Sequence, residues 1–155
     1  MDNMERAARE NQTIARLKNN LESPLSNLLD LLVATLHENF PHYTGVYIYL
    51  LQGETLVLGP YRGRPTEHTR IPIGKGICGR AARVKHTVVV DDVNADAEYI
   101  ACSLQTRSEI VVPILRGDEV LGEIDIDSDI PAAFDARDRA FLEEIAQLVA
   151  PKFAT

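Results

Sequence analysis

Basic residues are in short supply in this chain of 155 residues: 16 Lys and Arg stand against 23 Asp and Glu, a formal net charge of −7. That balance excludes the basic footprint that nucleic-acid phosphates demand. It equally gives no polybasic surface for an anionic membrane. Long apolar runs are missing too, and nothing approaches the roughly 18–20 residues needed to cross a bilayer. The stretch from Met1 to Asn20 is charged along its length and has no apolar signal-peptide centre. Cysteine is scarce: Cys78 and Cys102, 24 positions apart, form no disulfide framework of the kind that staples small secreted domains. Together these absences imply a cytoplasmic protein in a reducing compartment, with no nucleic-acid or membrane partner. Internal repeats and low-complexity tracts are absent as well.

What is present suits one globular domain of ordinary size, with 45% hydrophobic and 25% charged residues. Residues 1–22 read as a separate N-terminal helix, and 23–155 as the domain. Over residues 3–20, Ala7, Ile14, Leu17 and Leu21 make an apolar stripe too thin for a core, which suggests a homodimer through this helix. Ser23-Pro24 restarts a helix, with Leu25, Leu28, Leu29, Leu32, Val33 and Leu36 at helical spacing and Pro41 ending it. Val46–Gln52 and Thr55–Leu58 read as a hairpin about Gly53-Glu54. Gly59 to Arg70 reads as a long loop. A short helix spans Ile77 to Val84, a strand Thr87 to Val90, and an irregular or helical segment runs from Asp91 to Gln105. Ile110–Leu115 and Val120–Asp127 form a second hairpin about Gly117-Asp118, and Phe134–Phe153 is the closing helix. Terminal helices around antiparallel hairpins predict an α+β fold, an α/β sandwich with one central sheet.

Chemistry concentrates in Gly122-Glu123-Ile124-Asp125-Ile126-Asp127. Residues two apart share a strand face, so Asp125 and Asp127 project together while Ile124 and Ile126 face the core. Two ionised carboxylates so close repel unless a cation lies between them or the face is wet; a wet strand edge is the plain alternative. Glu109 opens the neighbouring strand. A two-residue turn would pair it with Ile126, on the wrong face; a bulge or longer loop pairs it with Asp125 instead. A three-acid pocket therefore predicts an irregular hairpin. Gly74-Lys75-Gly76-Ile77-Cys78-Gly79 lacks the spacing of a phosphate loop. Cys78, in the first turn of an apolar helix, reads as a packing residue. Cys102 lies in a polar segment where a thiol can be activated. No histidine has zinc-site spacing; His68, in the long loop, is the one placed to reach a pocket.

The run Leu56-Val57-Leu58-Gly59-Pro60, Gly74-Lys75-Gly76-Ile77-Cys78-Gly79, Ile100-Ala101-Cys102, Ser108-Glu109-Ile110-Val111-Val112-Pro113 and Gly122-Glu123-Ile124-Asp125-Ile126-Asp127-Ser128 resembles the GAF-domain family of free methionine-(R)-sulfoxide reductases, over roughly residues 25–150. The resemblance implies a GAF fold and an oxidoreductase that returns free methionine-(R)-S-oxide to methionine. By it, Cys102 is the nucleophile, and Glu109, Asp125 and Asp127 hold the substrate's amino and sulfoxide groups, with His68 and Tyr49 beside them. A sulfenic acid on Cys102 then meets a second thiol, and thioredoxin or a small thiol is the reductant. No bound cofactor and no metal are implied. Two positions depart from the family. His68 stands where a resolving cysteine is usual, ten residues before Cys78, which leaves Cys78 as the internal resolving thiol. Gly45 stands where a tryptophan walls the methyl pocket, and the chain has no tryptophan. These departures sustain an alternative, a non-catalytic GAF sensor of small molecules. A third reading is a metal site built from His68, the carboxylates and Cys102.

Overall fold

The computed structural model describes residues 1–101 and 103–154. Helix boundaries follow local chemistry. Asp2 caps α1 (Asn3–Lys18) by accepting from the Glu5 amide at 2.8 Å. Pro24 precedes α2 (Leu25–Asn39). A reciprocal capping box between Asp135 and Asp138 starts α4 (Ala136–Val149). The expected closing helix is therefore shorter at both ends, because the box sets its start and Pro151 turns its tail into a 3₁₀ turn over Ala150–Lys152. Helix α3 (Gly76–Val84) ends on Lys85 in the left-handed conformation.

Six strands, β1 (Gly45–Gln52), β2 (Thr55–Arg62), β3 (Arg70–Pro72), β4 (Val88–Val90), β5 (Ser108–Arg116) and β6 (Glu119–Ser128), form one antiparallel sheet ordered β3-β2-β1-β6-β5-β4. Part of the stretch read as a loop belongs to this sheet: β2 continues to Arg62, and Arg70 opens β3. The glycine and proline in Gly59-Pro60 hid that continuation.

Alternation sorts the strands onto two faces. Val46, Ile48, Ile110, Val112, Ile114, Ile124 and Ile126 join the main core under α1, α2 and α4. Tyr47, Tyr49 and Val111 point the other way, toward α3 and its flanking loops. The stripe of α1 finds its partner inside the chain: Leu17 is fully buried in the main core and Ile14 packs against it. Arg6 also pairs with Asp135 and Asp138 at 2.9 and 3.0 Å. The premise that this stripe has no internal partner is thereby corrected, because sequence spacing cannot show which neighbouring helix covers it.

The β5–β6 hairpin is irregular as the three-acid pocket requires. Arg116 pairs with Glu119 and Leu115 with Val120, but Ile114 pairs with Gly122, so Leu121 is a bulge. The slip pairs Glu109 with Asp127, not with Asp125. An extra residue on β6 moves the register toward its C-terminal end, where the sequence reading moved it the other way. Next to the bulge, a Cβ on Gly122 would lie 2.4 Å from the Tyr49 carbonyl oxygen. Gly122→Ala is expected to destabilise the fold by about 2–3 kcal/mol by forcing β1 and β6 apart. A urea midpoint equal to that of the parent chain would contradict this.

Candidate functional site

The face of the sheet turned toward α3 carries acids where a core would normally carry aliphatic residues. Glu109 of β5 lies opposite Asp127 of β6, and Val111 opposite Asp125. On the other side of β6, Gly45, Tyr47 and Tyr49 of β1 lie opposite Asp127, Asp125 and Glu123. Glu109, Asp125 and Asp127 are each 6% exposed, and Glu123 is 0%. The alternation that places Asp125 and Asp127 together also places Glu123 with them, a fourth acid whose strand parity was visible in the sequence and was not used.

From the opposite side, the first turn of α3 brings in Cys78. Its sulfur and one oxygen each of Glu109 and Asp125 lie within 4.8 Å of one another. The thiol is buried, as the packing reading expected, yet it is packed against carboxyls. Burial, then the charges of Asp125, Glu123 and Glu109, push its pKa well above the usual thiol value. Burial likewise raises Glu123, with Asp125 adding to the effect. Asp127 is raised by burial and by Asp125, against hydrogen bonding to Glu109 and the charge of Arg64. Asp125 is raised by burial, opposed by hydrogen bonds to Glu109 and Cys78. Carboxyls raised together in one enclosed place resist ionising together.

The cavity left between these groups measures about 30 Å³. Tyr49, His68, Ile77 and Cys78 line it together with Glu109, Asp125 and Asp127, and Tyr99 and Ile100 roof it. Tyr49 is buried and donates from its hydroxyl to the His68 carbonyl at 2.7 Å. His68 is among the residues that line the pocket, and its Nε2 lies 3.2 Å from the Ala101 carbonyl. Arg80 and Arg83 of α3 hold the roof through Asp96 at 2.7 Å and Glu98 at 3.2 and 2.7 Å. Of the expected site residues, Glu109, Asp125, Asp127, Tyr49, His68 and Cys78 therefore converge; Cys102 lies outside the described residues. Among the described residues, the group with metal-ligand proximity is Cys78, Glu109 and Asp125, without His68.

Gly45 has a structural counterpart. A Cβ there would meet the Tyr47 ring at 2.7 Å, so the ring occupies the space over the glycine. Tyr47 stacks on Tyr61 with centroids 5.6 Å apart, and its hydroxyl donates to the Arg64 carbonyl. Tyr47 also borders a small hollow together with Gly45, Ser103 and Asp127.

Residues 24–151 match the GAF domain family, and the chain belongs to that family. Within it, the chain is 44% identical over 110 residues to the free methionine-R-sulfoxide reductase of Saccharomyces cerevisiae, covering 70% of this chain and 61% of the yeast protein. The chain thus spans about three fifths of that relative. It is 36% identical over 116 residues to the free methionine-R-sulfoxide reductase of Escherichia coli, 74% of this chain and 70% of that one. The structure of the free methionine-R-sulfoxide reductase of Neisseria meningitidis in complex with its substrate superposes with a TM-score of 0.89 at 36% identity, covering 96% of this chain and 90% of that one. These relatives are oxidoreductases, which is the class the resemblance in the sequence implied.

Proposed function

We propose that this chain reduces free L-methionine-(R)-S-oxide to methionine, with Cys102 as the nucleophile. One observation carries the reading: three acids from two adjacent strands, Glu109, Asp125 and Asp127, line a single pocket together with the Cys78 thiol. Carboxyls enclosed together favour a cation among them, and the ammonium of a free amino acid supplies one. A neutral acid within the cluster donates to the sulfoxide oxygen. The Cys102 thiolate attacks the sulfoxide sulfur, methionine leaves, and the oxygen stays on Cys102 as sulfenic acid. Both chain neighbours of Cys102 border this region, Ala101 through His68 and Ser103 beside Asp127. Cys78 then acts as the second thiol: a disulfide forms, water is released, and thioredoxin or a small thiol reduces the product. Tyr47 and Tyr61 offer the aromatic surface for the substrate's methyl end.

A cavity of about 30 Å³ holds little more than water, so an amino acid enters only when the Tyr99–Ile100 roof lifts. The deciding experiment is incubation with free methionine-(R)-sulfoxide and dithiothreitol, with methionine measured by chromatography. Steady methionine release selects the reductase. Tight binding without turnover selects the sensor reading, which His68 in place of a resolving cysteine favours. A homodimer in the cytoplasm belongs to the same proposal. The open groove between α1 and α4, bordered by Ile14, Ala15 and Phe141, is where a second copy would rest. A one-chain mass by light scattering would remove that part.

A further inference from the structure

Glu123 stands apart from the acids that grip a substrate. It is fully buried, it lies one strand position deeper than Asp125 on the same face, and Tyr49 and Pro113 flank it on either side. Neither carboxyl oxygen accepts a hydrogen bond of ordinary geometry among the described residues. The Cys78 thiol approaches from α3: its sulfur lies within 4.8 Å of an oxygen of Asp125, the next acid on this face, and Cys78 and Glu123 each act on the other's pKa. A carboxyl placed this way is costly, and an aliphatic side chain would fill the position at lower free energy. We propose that Glu123 is a catalytic residue of the recycling half-reaction: it takes the proton of Cys78 as that sulfur attacks the sulfenic acid on Cys102. The proposal rests on the reductase reading above.

The chemistry balances. The Cys78 S–H bond breaks and its proton passes to the Glu123 carboxylate. The Cys78 sulfur forms the S–S bond as the S–O bond of the sulfenic acid breaks. The departing hydroxide takes a proton and leaves as water, and Glu123 releases its own proton to restore the starting state. Cys78 is oxidised with Cys102, and the sulfenic oxygen is the group reduced. Proton transfer within the pair solves a problem set by burial. A free thiolate would be one more anion beside Glu109, Asp125 and Glu123, whereas transfer to Glu123 creates one anion as it removes another. Burial raises the Glu123 carboxyl, which makes it a stronger base than an exposed carboxylate would be, and it raises the thiol as well.

The test uses the fully reduced chain mixed with methionine-(R)-sulfoxide and no reductant, following methionine and the loss of the second thiol separately. The parent chain is expected to release one equivalent of methionine and then lose both thiols, with the second loss accelerating as pH rises. In Glu123→Gln the methionine burst persists, while loss of the second thiol slows at least about tenfold at neutral pH. Glu123→Asp, which keeps a carboxylate one methylene back, falls between the two. High concentrations of a small thiol restore turnover in Glu123→Gln, because they reduce the sulfenic acid directly; a merely structural role would not be rescued this way. If the parent chain gives no burst, the reductase reading fails. If it bursts and Glu123→Gln loses its second thiol at the parental rate, the role of Glu123 alone is overturned.

Discussion

Cys102→Ser is expected to lower methionine release by at least about a thousandfold while leaving the thermal unfolding profile intact. The reaction needs a sulfur that accepts the sulfoxide oxygen and is oxidised in doing so, and a serine hydroxyl cannot take that role. Cys78 does not replace it. That thiol is buried against Asp125, Glu123 and Glu109, which hold it well above its usual pKa and keep its thiolate rare at neutral pH. The measurement is steady-state methionine formation with dithiothreitol, where the general thiol removes any dependence on the second cysteine. A Cys102→Ser chain that retains more than a tenth of parental turnover would transfer the nucleophile to another group.

Asp127→Asn is expected to reduce kcat/KM by about 30- to 1,000-fold, the equivalent of about 2–4 kcal/mol for a buried charge-assisted contact to an ammonium. Asp127 lies directly opposite Glu109 and is buried on the same face as Asp125, so it belongs to the acid cluster. The same change has an opposite effect on stability. Burial, with Asp125, raises the folded-state pKa of Asp127 above its unfolded value. Below the unfolded value both states are protonated and the group favours neither. As pH rises above it, the unfolded chain ionises first and stability falls until the folded pKa is passed, by up to about 1.4 kcal/mol per pH unit. Asp127→Asn removes that loss, so its melting temperature relative to the parent is expected to be higher at pH 8 than at pH 4. An equal offset at both values would show that Asp127 carries no raised pKa. Weak activity joined to greater alkaline stability is the signature of an acid held in place for binding at the expense of the fold.

Much of this was legible beforehand because it depends on local rules. Period-two alternation in β6 put Asp125 and Asp127 on one face, and the requirement that Glu109 join them implied a slip in the hairpin. The direction of that slip was not legible. It depends on which strand accommodates the extra residue, and Leu121 bulges there because it finds a place in the main core while Gly122 passes close under the Tyr49 carbonyl. Glu123 was legible by parity and passed over, since a lone glutamate on a strand ordinarily faces water.

By its own pattern, the sequence determined the class of fold, the two hairpins, the helix carrying Cys78, and the shared face of Asp125 and Asp127, all consequences of spacing and of backbone preferences near each residue. Only the tertiary structure decided that α1 is covered by its own chain, that Tyr47 lies over Gly45, and that the Cys78 thiol meets the carboxyls of Glu109 and Asp125. Those outcomes depend on how separate elements pack, and packing is set by the shapes and charges of residues far apart along the chain.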